Sequence, residues 1–475
     1  MNAKLITYAL SALLAFGMSN FSFSNNLIIS SVTLTNDSTL TFSVSWENSW
    51  RTNNAPYNHD AVWLFVKKRD CASLQWSHVN LNPTTASHST ASPLEIYIDG
   101  RDGSTSSKGV FVRRSAAGAG NVSGVTVSLR MQGVTNGQYD FKVFGIEMVQ
   151  IPQGAFQVGD GAAASTLKAG STSNPFPITS EDAITAGTGA TNLYSTTPVP
   201  LNLPANYPKG FKEIYCMKYE ISQGQYVDFV NTLLSDQGAA RQIVNGANRM
   251  AITGTWPVNV AGAPHRAMAL LSWTDLLAYL DWSALRPMTE LEFEKIARGP
   301  IAPVAGEYAW GTDLITDANT FVADGTATEN SSTVITAGSG LANFNNNLIL
   351  GPARCGFAAK PGTNRLQAAA GYYGVMELSG NVWEQAVSVS HATGVAFEGA
   401  LGDGEISLSP NPGFADVPGW PSPTASIGAT NSVVGRAIKG GAWVEAATAL
   451  QISNRSNGAY IDGRRISSIG GRGVR

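Results

Sequence analysis

From Asn25 to about Phe144, apolar residues recur at every second position: Val32 and Leu34, then Leu40, Phe42, Val44 and Trp46, then Val62, Leu64 and Val66, and later Val125, Val127 and Leu129. A period of two puts alternate side chains on opposite faces of a strand, so these runs predict half-buried β-strands. Asn36-Asp37 is a tight-turn signal between two of them, and Asp99-Gly100 with Asp102-Gly103 marks a second turn region. No helical period interrupts the segment. The pattern predicts an antiparallel β-sandwich over residues 25–145 with one face of each sheet buried.

Beyond residue 146 the period changes. Ser222 and Gln225 form a capping-box pattern ahead of Tyr226, Phe229, Val230 and Leu233, with Gly238 as the expected stop. Ser272 can cap a second helix carrying Trp273, Leu276, Leu277 and Leu280. Thr289 with Glu292 begins a third, carrying Phe293, Ile296 and Ala297 and ending at Gly299. Residues 161–196 and 312–347 are rich in Gly, Ala, Thr, Ser and Asn with little periodicity, which predicts long loops. The expected fold class is α+β: an all-β sandwich followed by a loop-rich domain over residues 146–475.

Composition adds a compartment. Residues 1–24 read as a secretory signal, with Lys4 at the positive start, an apolar run from Leu5 to Met18, and Ser22 and Ser24 at cleavage positions. The run is short for a membrane span, so no transmembrane segment is expected in the mature chain, which is placed outside the cell or on its surface. Charged residues make up 14% of the chain, well below the roughly 25% of ordinary soluble proteins, leaving a surface polar through hydroxyls and amides. With a net charge of -3 and no long basic cluster, nucleic acid is excluded as a partner. The 3 cysteines, Cys71, Cys216 and Cys355, are far apart and form no Cys-x-x-Cys motif. No His-x-x-x-His pair and no Gly-x-Ser-x-Gly elbow is present, which leaves zinc and serine-nucleophile chemistry without a motif.

Several segments occur in the order found in the formylglycine-generating (sulfatase-modifying) enzymes. They are Met148 to Phe156 (MVQIPQGAF), Tyr219-Glu220-Ile221-Ser222, Leu271-Ser272-Trp273, Arg286 to Glu294 (RPMTELEFE) with Ala297-Arg298-Gly299, Tyr308 to Gly311, Met376 to Glu384 (MELSGNVWE), Lys439 to Trp443 (KGGAW), and the terminal Gly470 to Arg475. The chain resembles that family from about residue 146 to its last residue. The resemblance implies a loop-rich fold of the C-type-lectin kind.

It also implies where chemistry would sit. In the family, two cysteines follow the Gly-Gly turn, two and seven residues after the aromatic. Counted from Trp443, those places hold Glu445 and Leu450. A thiolate is the copper ligand in that chemistry, and neither a carboxylate nor an isobutyl group replaces a soft sulfur donor. Copper and catalysis are therefore not expected.

The family's structural calcium segment maps onto Glu377, the carbonyls of Gly380 and Val382, and Glu384, a set of hard oxygen donors suited to that ion. The terminal segment also resembles that of variable lectin-fold binding proteins, with Gly471 in place of their aromatic. The expectation is a secreted, non-catalytic structural or interaction protein that self-associates into filaments or sheets. The alternative is a surface receptor or adhesin binding a glycan or protein through its C-terminal surface. Trp50 and Tyr57, in a polar loop, are candidates for stacking on sugar.

Overall fold

The computed structural model describes residues 26–134, 138–345, 349–360 and 362–475. The expected signal segment, residues 1–24, lies outside them. The fold is mixed and mostly strand, with four short α-helices and a 4-residue helical turn among the described residues.

The first region is built from β1 (Ile28–Asn36), β2 (Thr39–Arg51), β3 (Asp60–Asp70), β4 (Trp76–Val79), β5 (Ser89–Thr90), β6 (Leu94–Tyr97), β7 (Val110–Arg114), β8 (Gly118–Arg130) and β9 (Tyr139–Ile151). One sheet has the order β1-β2-β8-β5. The other runs from the strand Ile214–Met217 through β9, β3 and β7 to β6, with β4 also paired to β3. The alternating residues read from the sequence meet between the sheets: Leu40, Phe42, Val44 and Trp46 of β2 and Val125, Val127 and Leu129 of β8 against Val62, Leu64 and Val66 of β3. Both turn regions are where the sequence places them. Asn36 Oδ1 accepts the Ser38 amide, and Asp99 Oδ1 accepts that of Arg101.

Two strands depart from the expectation of one buried face. β1 is an edge strand with irregular register at Ser30/Thr33 and Leu34/Asn36, and Leu34 is 50% exposed instead of inward. A register shift turns the following side chains away from the face they would otherwise share. β3 is buried on both faces. Its second face, Ala61, Trp63 and Phe65, joins the core of the second region, where Phe65 and Phe144 stand edge-on to Trp282 at 5.1 and 4.9 Å. Trp63 Nε1 donates to the Ser283 carbonyl across the same seam.

β9 runs across residue 145 without a break. It pairs with β3 from Tyr139 to Val149, and with Ile214–Met217 from Met148 to Ile151.

The helices are α1 (Gln223–Val230), α2 (Ser235–Arg241), α3 (Trp273–Trp282) and α4 (Glu290–Arg298). Ser222 and Thr289 cap α1 and α4 with the reciprocal capping boxes their spacing predicts, and Ser272 caps α3 as expected, with Asp275 adding a return bond beyond that expectation. Gly238 does not end the first helix. α1 stops at Asn231 and a second helix begins at Ser235, inside which Gly238 packs against Trp256, leaving no room for a Cβ. No helix among the described residues is long and apolar enough to cross a membrane.

Candidate functional site

The loop from Glu377 to Glu384 is folded by backbone that few residues adopt: Glu377, Gly380 and Asn381 have φ of 52°, 94° and 65°. At Gly380 a Cβ would lie 2.8 Å from the Asn343 carbonyl, so glycine is required both by conformation and by space. Asn381 pins the turn. Its Nδ2 donates to Glu220 Oε2 at 2.5 Å, and its Oδ1 accepts the Ala353 amide and Asn343 Nδ2 at 2.7 and 3.1 Å. Glu220 Oε1 accepts the Val382 amide at 3.1 Å.

Glu384 opens the strand Glu384–Val387, which pairs antiparallel with Arg436–Lys439. Its Oε1 accepts Arg472 Nε at 2.5 Å, and Glu377 Oε1 accepts the Gly356 amide at 2.7 Å. Arg472 reaches this spot because the terminal segment threads through the core: Val474 bridges both Cys216 and Arg286, and Arg472 Nη1 donates to the Met217 and Lys218 carbonyls. Glu220, Glu384 and Arg472 are sealed from solvent, and Glu377 is nearly so.

Burial dominates the electrostatics here. It pushes the Glu377 carboxyl up to about 7 against the pull of Arg472, and raises Glu384. Glu220 rises well above the carboxylate range through burial and through Glu384 and Glu377 facing it. Burial also lifts the Cys216 thiol to about 12 and the Cys355 thiol well above its ordinary value. Thiols in that state are protonated at neutral pH.

Of the sequence-predicted calcium ligands, Glu377 and Glu384 are both buried and both face Arg472, with Gly380 and Val382 on the connecting loop, but Glu220, Glu377 and Glu384 do not close into a tight three-carboxylate group. Glu377 Oε2 and Glu384 Oε2 are enclosed and have no hydrogen-bond partner. Buried oxygens without donors are costly, and a hard divalent cation is a group that satisfies them. The donor set fits calcium in kind. Glu220 and Arg472 were visible only as landmarks in Tyr219-Glu220-Ile221-Ser222 and Gly470-Gly471-Arg472, because nothing local signals a partner that lies far along the chain.

The Lys439-to-Trp443 turn lies beside this cluster, with the Gly380 amide donating to the Gly440 carbonyl and the Trp443 amide to that of Asn381. Glu445 is half-buried, and its Oε1 accepts Trp383 Nε1 at 3.1 Å. Leu450 is fully buried among Trp310, Leu341, Phe344 and Phe357, close enough to Gly441 that a Cβ there would meet Leu450 Cδ1 at 2.5 Å. An apolar side chain therefore fills one of the two positions and a bonded carboxylate takes the other. Cys71 is exposed, Cys216 and Cys355 are buried, and all three are free. Among the described residues, neither buried thiol shares a 4.8 Å cluster with two further His, Cys, Asp or Glu ligand atoms.

Such a cluster does form from Asp281, Asp403 and Asp416. Both oxygens of buried Asp281 already accept backbone amides, from Asp403 at 3.0 Å and Asp416 at 3.1 Å, so it staples a loop to α3. Burial pushes its carboxyl up to about 8. Of the two stacking candidates, Tyr57 is 66% exposed, but Trp50 is half-buried at the seam with Lys218 Nζ over its ring at 5.0 Å. Trp50 is therefore not an open platform for sugar.

A capped, loop-rich α+β domain closed by its own terminal segment defines the class. The sulfatase-modifying factor enzyme 1-like domain matches residues 142–475, and the chain belongs to that family. It is also similar to the formylglycine-generating enzyme of Streptomyces coelicolor, with 39% identity over 56 residues, which span 12% of this chain and 17% of that enzyme.

Proposed function

We propose that this protein is a non-catalytic member of the family, exported from the cell, that serves a structural or interaction role there. The observation that carries this reading is the pair of residues at the family's cysteine positions. Leu450 is packed into a core cluster and Glu445 is bonded to Trp383, so no soft sulfur donor stands at either place. In this reading the first region is a β-sandwich module mounted on a C-type-lectin-like domain, and calcium held by Glu377, Glu384 and the carbonyls of Gly380 and Val382 braces the loop beside the turn.

Self-assembly is the sharper form of the proposal. It is supported by the low charge of the chain, 14% of its residues, and by the exposed edge strand β1, in which Ile28 is 57% and Leu34 50% exposed. In this form the sandwich of one copy meets the lectin-like domain of the next, a head-to-tail contact that propagates, and the free edge of β1, which carries apolar residues and no charge, adds strand pairing between copies. Electron microscopy of the mature protein with calcium is expected to show filaments or sheets, and monodisperse monomers at high concentration would reject assembly. Cuprous-ion titration is expected to show no stoichiometric binding, and no oxygen uptake with a cysteine-containing peptide. Turnover in that assay would reject the non-catalytic reading.

The second reading, a surface receptor or adhesin, is favoured by one observation: Val444 and Ile461, 40% and 48% exposed, lie in sequence next to Glu445 and Tyr460. It predicts saturable binding of a glycan or protein by the monomer, weakened by Tyr460→Ala. An empty glycan array would remove its sugar form.

A further inference from the structure

Away from the Glu377 cluster, a cleft of about 440 Å³ opens along the seam between the two regions. One wall is the loop between β6 and β7, carrying Arg101, Asp102 and Lys108. The other carries Arg286 and the backbone of residues 399–402, with Asp403 at its lip. Three positively charged side chains on one cleft are conspicuous in a chain with so few charges.

What matters is which of their N–H groups are already used. Arg101 Nη2 donates to the Glu213 carbonyl at 2.6 Å, while its nearest carboxylate, Asp99, is 3.9 Å away. Arg286 places Nη1 and Nη2 on Glu292 at 2.9 and 2.6 Å. Arg286 Nη1 also donates to the Pro287 carbonyl, and among the described residues Arg101 Nη1, Arg286 Nε and the Lys108 ammonium take no part in such bonds and are not sealed from solvent. The Lys108 backbone amide, by contrast, is held by Asp102 Oδ2 at 2.8 Å.

The carboxylates nearby do not supply what is missing. Asp102 Oδ2 also receives Arg475 Nη2 at 2.6 Å, and the Arg475 guanidinium bonds Asp99 as well. Asp403 Oδ1 accepts the Glu405 amide. Arg101 keeps part of its side chain in solvent, and it feels the repulsion of Arg286 and Arg475 beside it as well as the pull of Asp99 and Glu213. An anion entering the cleft would complete unused donors and relieve that repulsion together.

We propose that this seam cleft is a binding site for a small oxyanion, a carboxylate, sulfate or phosphate group, held by Arg101, Lys108 and Arg286. Asp403 at the rim accepts from hydroxyls, so an acidic sugar and a free inorganic ion share the chemistry that the cleft recognises. The volume suits a ligand of one or two sugar rings at most, which excludes insertion of a folded partner.

Isothermal titration of the mature protein at constant ionic strength separates the two sources, using sodium phosphate, sodium sulfate and glucuronate, with glucose as the neutral control. Saturable binding of at least one oxyanion and none of glucose is expected. Preference for glucuronate identifies an acidic-sugar site, and preference for phosphate or sulfate an inorganic one. Lys108→Gln, at a partly exposed position away from both cores, is expected to weaken binding about tenfold through loss of a charge-assisted contact, and Arg101→Gln comparably. Absence of saturable binding by all three oxyanions, or unchanged affinity in both variants, would overturn the assignment. Thermal melts of the variants matching the parent protein establish that any loss is local.

Discussion

At the scale of single residues, the Glu377 cluster makes the sharpest demand, because its carboxylates are more numerous than the cations that reach them. Glu377 is raised from 4.5 to about 7, chiefly by burial. An acid whose folded pKa is raised binds its proton more tightly in the native state, so its contribution to stability is complete below 4.5 and is lost as pH climbs through 7. Without metal, melting temperature is expected to fall between pH 5 and pH 8. Glu377→Gln, which cannot ionise, should flatten that slope. Calcium should act oppositely: it needs ionised oxygens, so its stabilisation should grow over the same interval. Differential scanning fluorimetry across this range, with calcium and with chelator, checks both. An unchanged slope in Glu377→Gln would show that the titration belongs to Glu220 or Glu384 instead. Leu450 poses a simpler test: truncation to Ala in a sealed apolar cluster should cost about 2–5 kcal/mol in a urea melt.

At the scale of elements, the three capped helices were legible because each announces itself locally. Thr289 Oγ1 accepts the Glu292 amide at 3.1 Å, and the Glu292 carboxylate returns to the Thr289 amide at 2.9 Å. Thr289→Ala should therefore cost about 1 kcal/mol in the same urea melt, the usual loss for a cap. The alternation in β2 and β8 was legible for the same reason. β3 was not, since Ala61, Trp63 and Phe65 are apolar too, and nothing in an unbroken apolar run says which neighbour covers its second face. β1 misled in the other direction, because Leu34 keeps the period but loses the core when the register shifts. In the candidate site, Glu377 and Glu384 came from family resemblance, whereas Glu220 and Arg472 depend on contacts across 161 and 88 residues that only the folded chain displays.

At the scale of the whole molecule, the decisive feature is that the two regions share material. β9 contributes its first residues to the sheet of the first region and its last to the pairing that anchors the second. Lys67 of β3 is buried across the seam, where its ammonium donates to the Trp282 carbonyl at 2.8 Å and to that of Gly404. Arg475 binds Asp99 and Asp102 from the opposite direction. Unfolding either region alone would expose Trp63, Phe65, Phe111 and Phe144, a cost comparable to the stability of an entire domain. The mature chain is therefore expected to unfold in one calorimetric transition, with calorimetric and van't Hoff enthalpies in agreement. A fragment comprising residues 26–145 cuts β9 after Gly145, removing the residues that pair with Asp60 to Trp63, and leaves the aromatic face of β3 bare. It should be insoluble or bind hydrophobic dye, whereas extension to residue 151 should not rescue it, because the covering helices are still absent. Two resolved transitions, or a soluble and cooperatively folded 26–145 fragment, would mean that the seam is an interface between independent modules and that assembly could proceed by exchanging them.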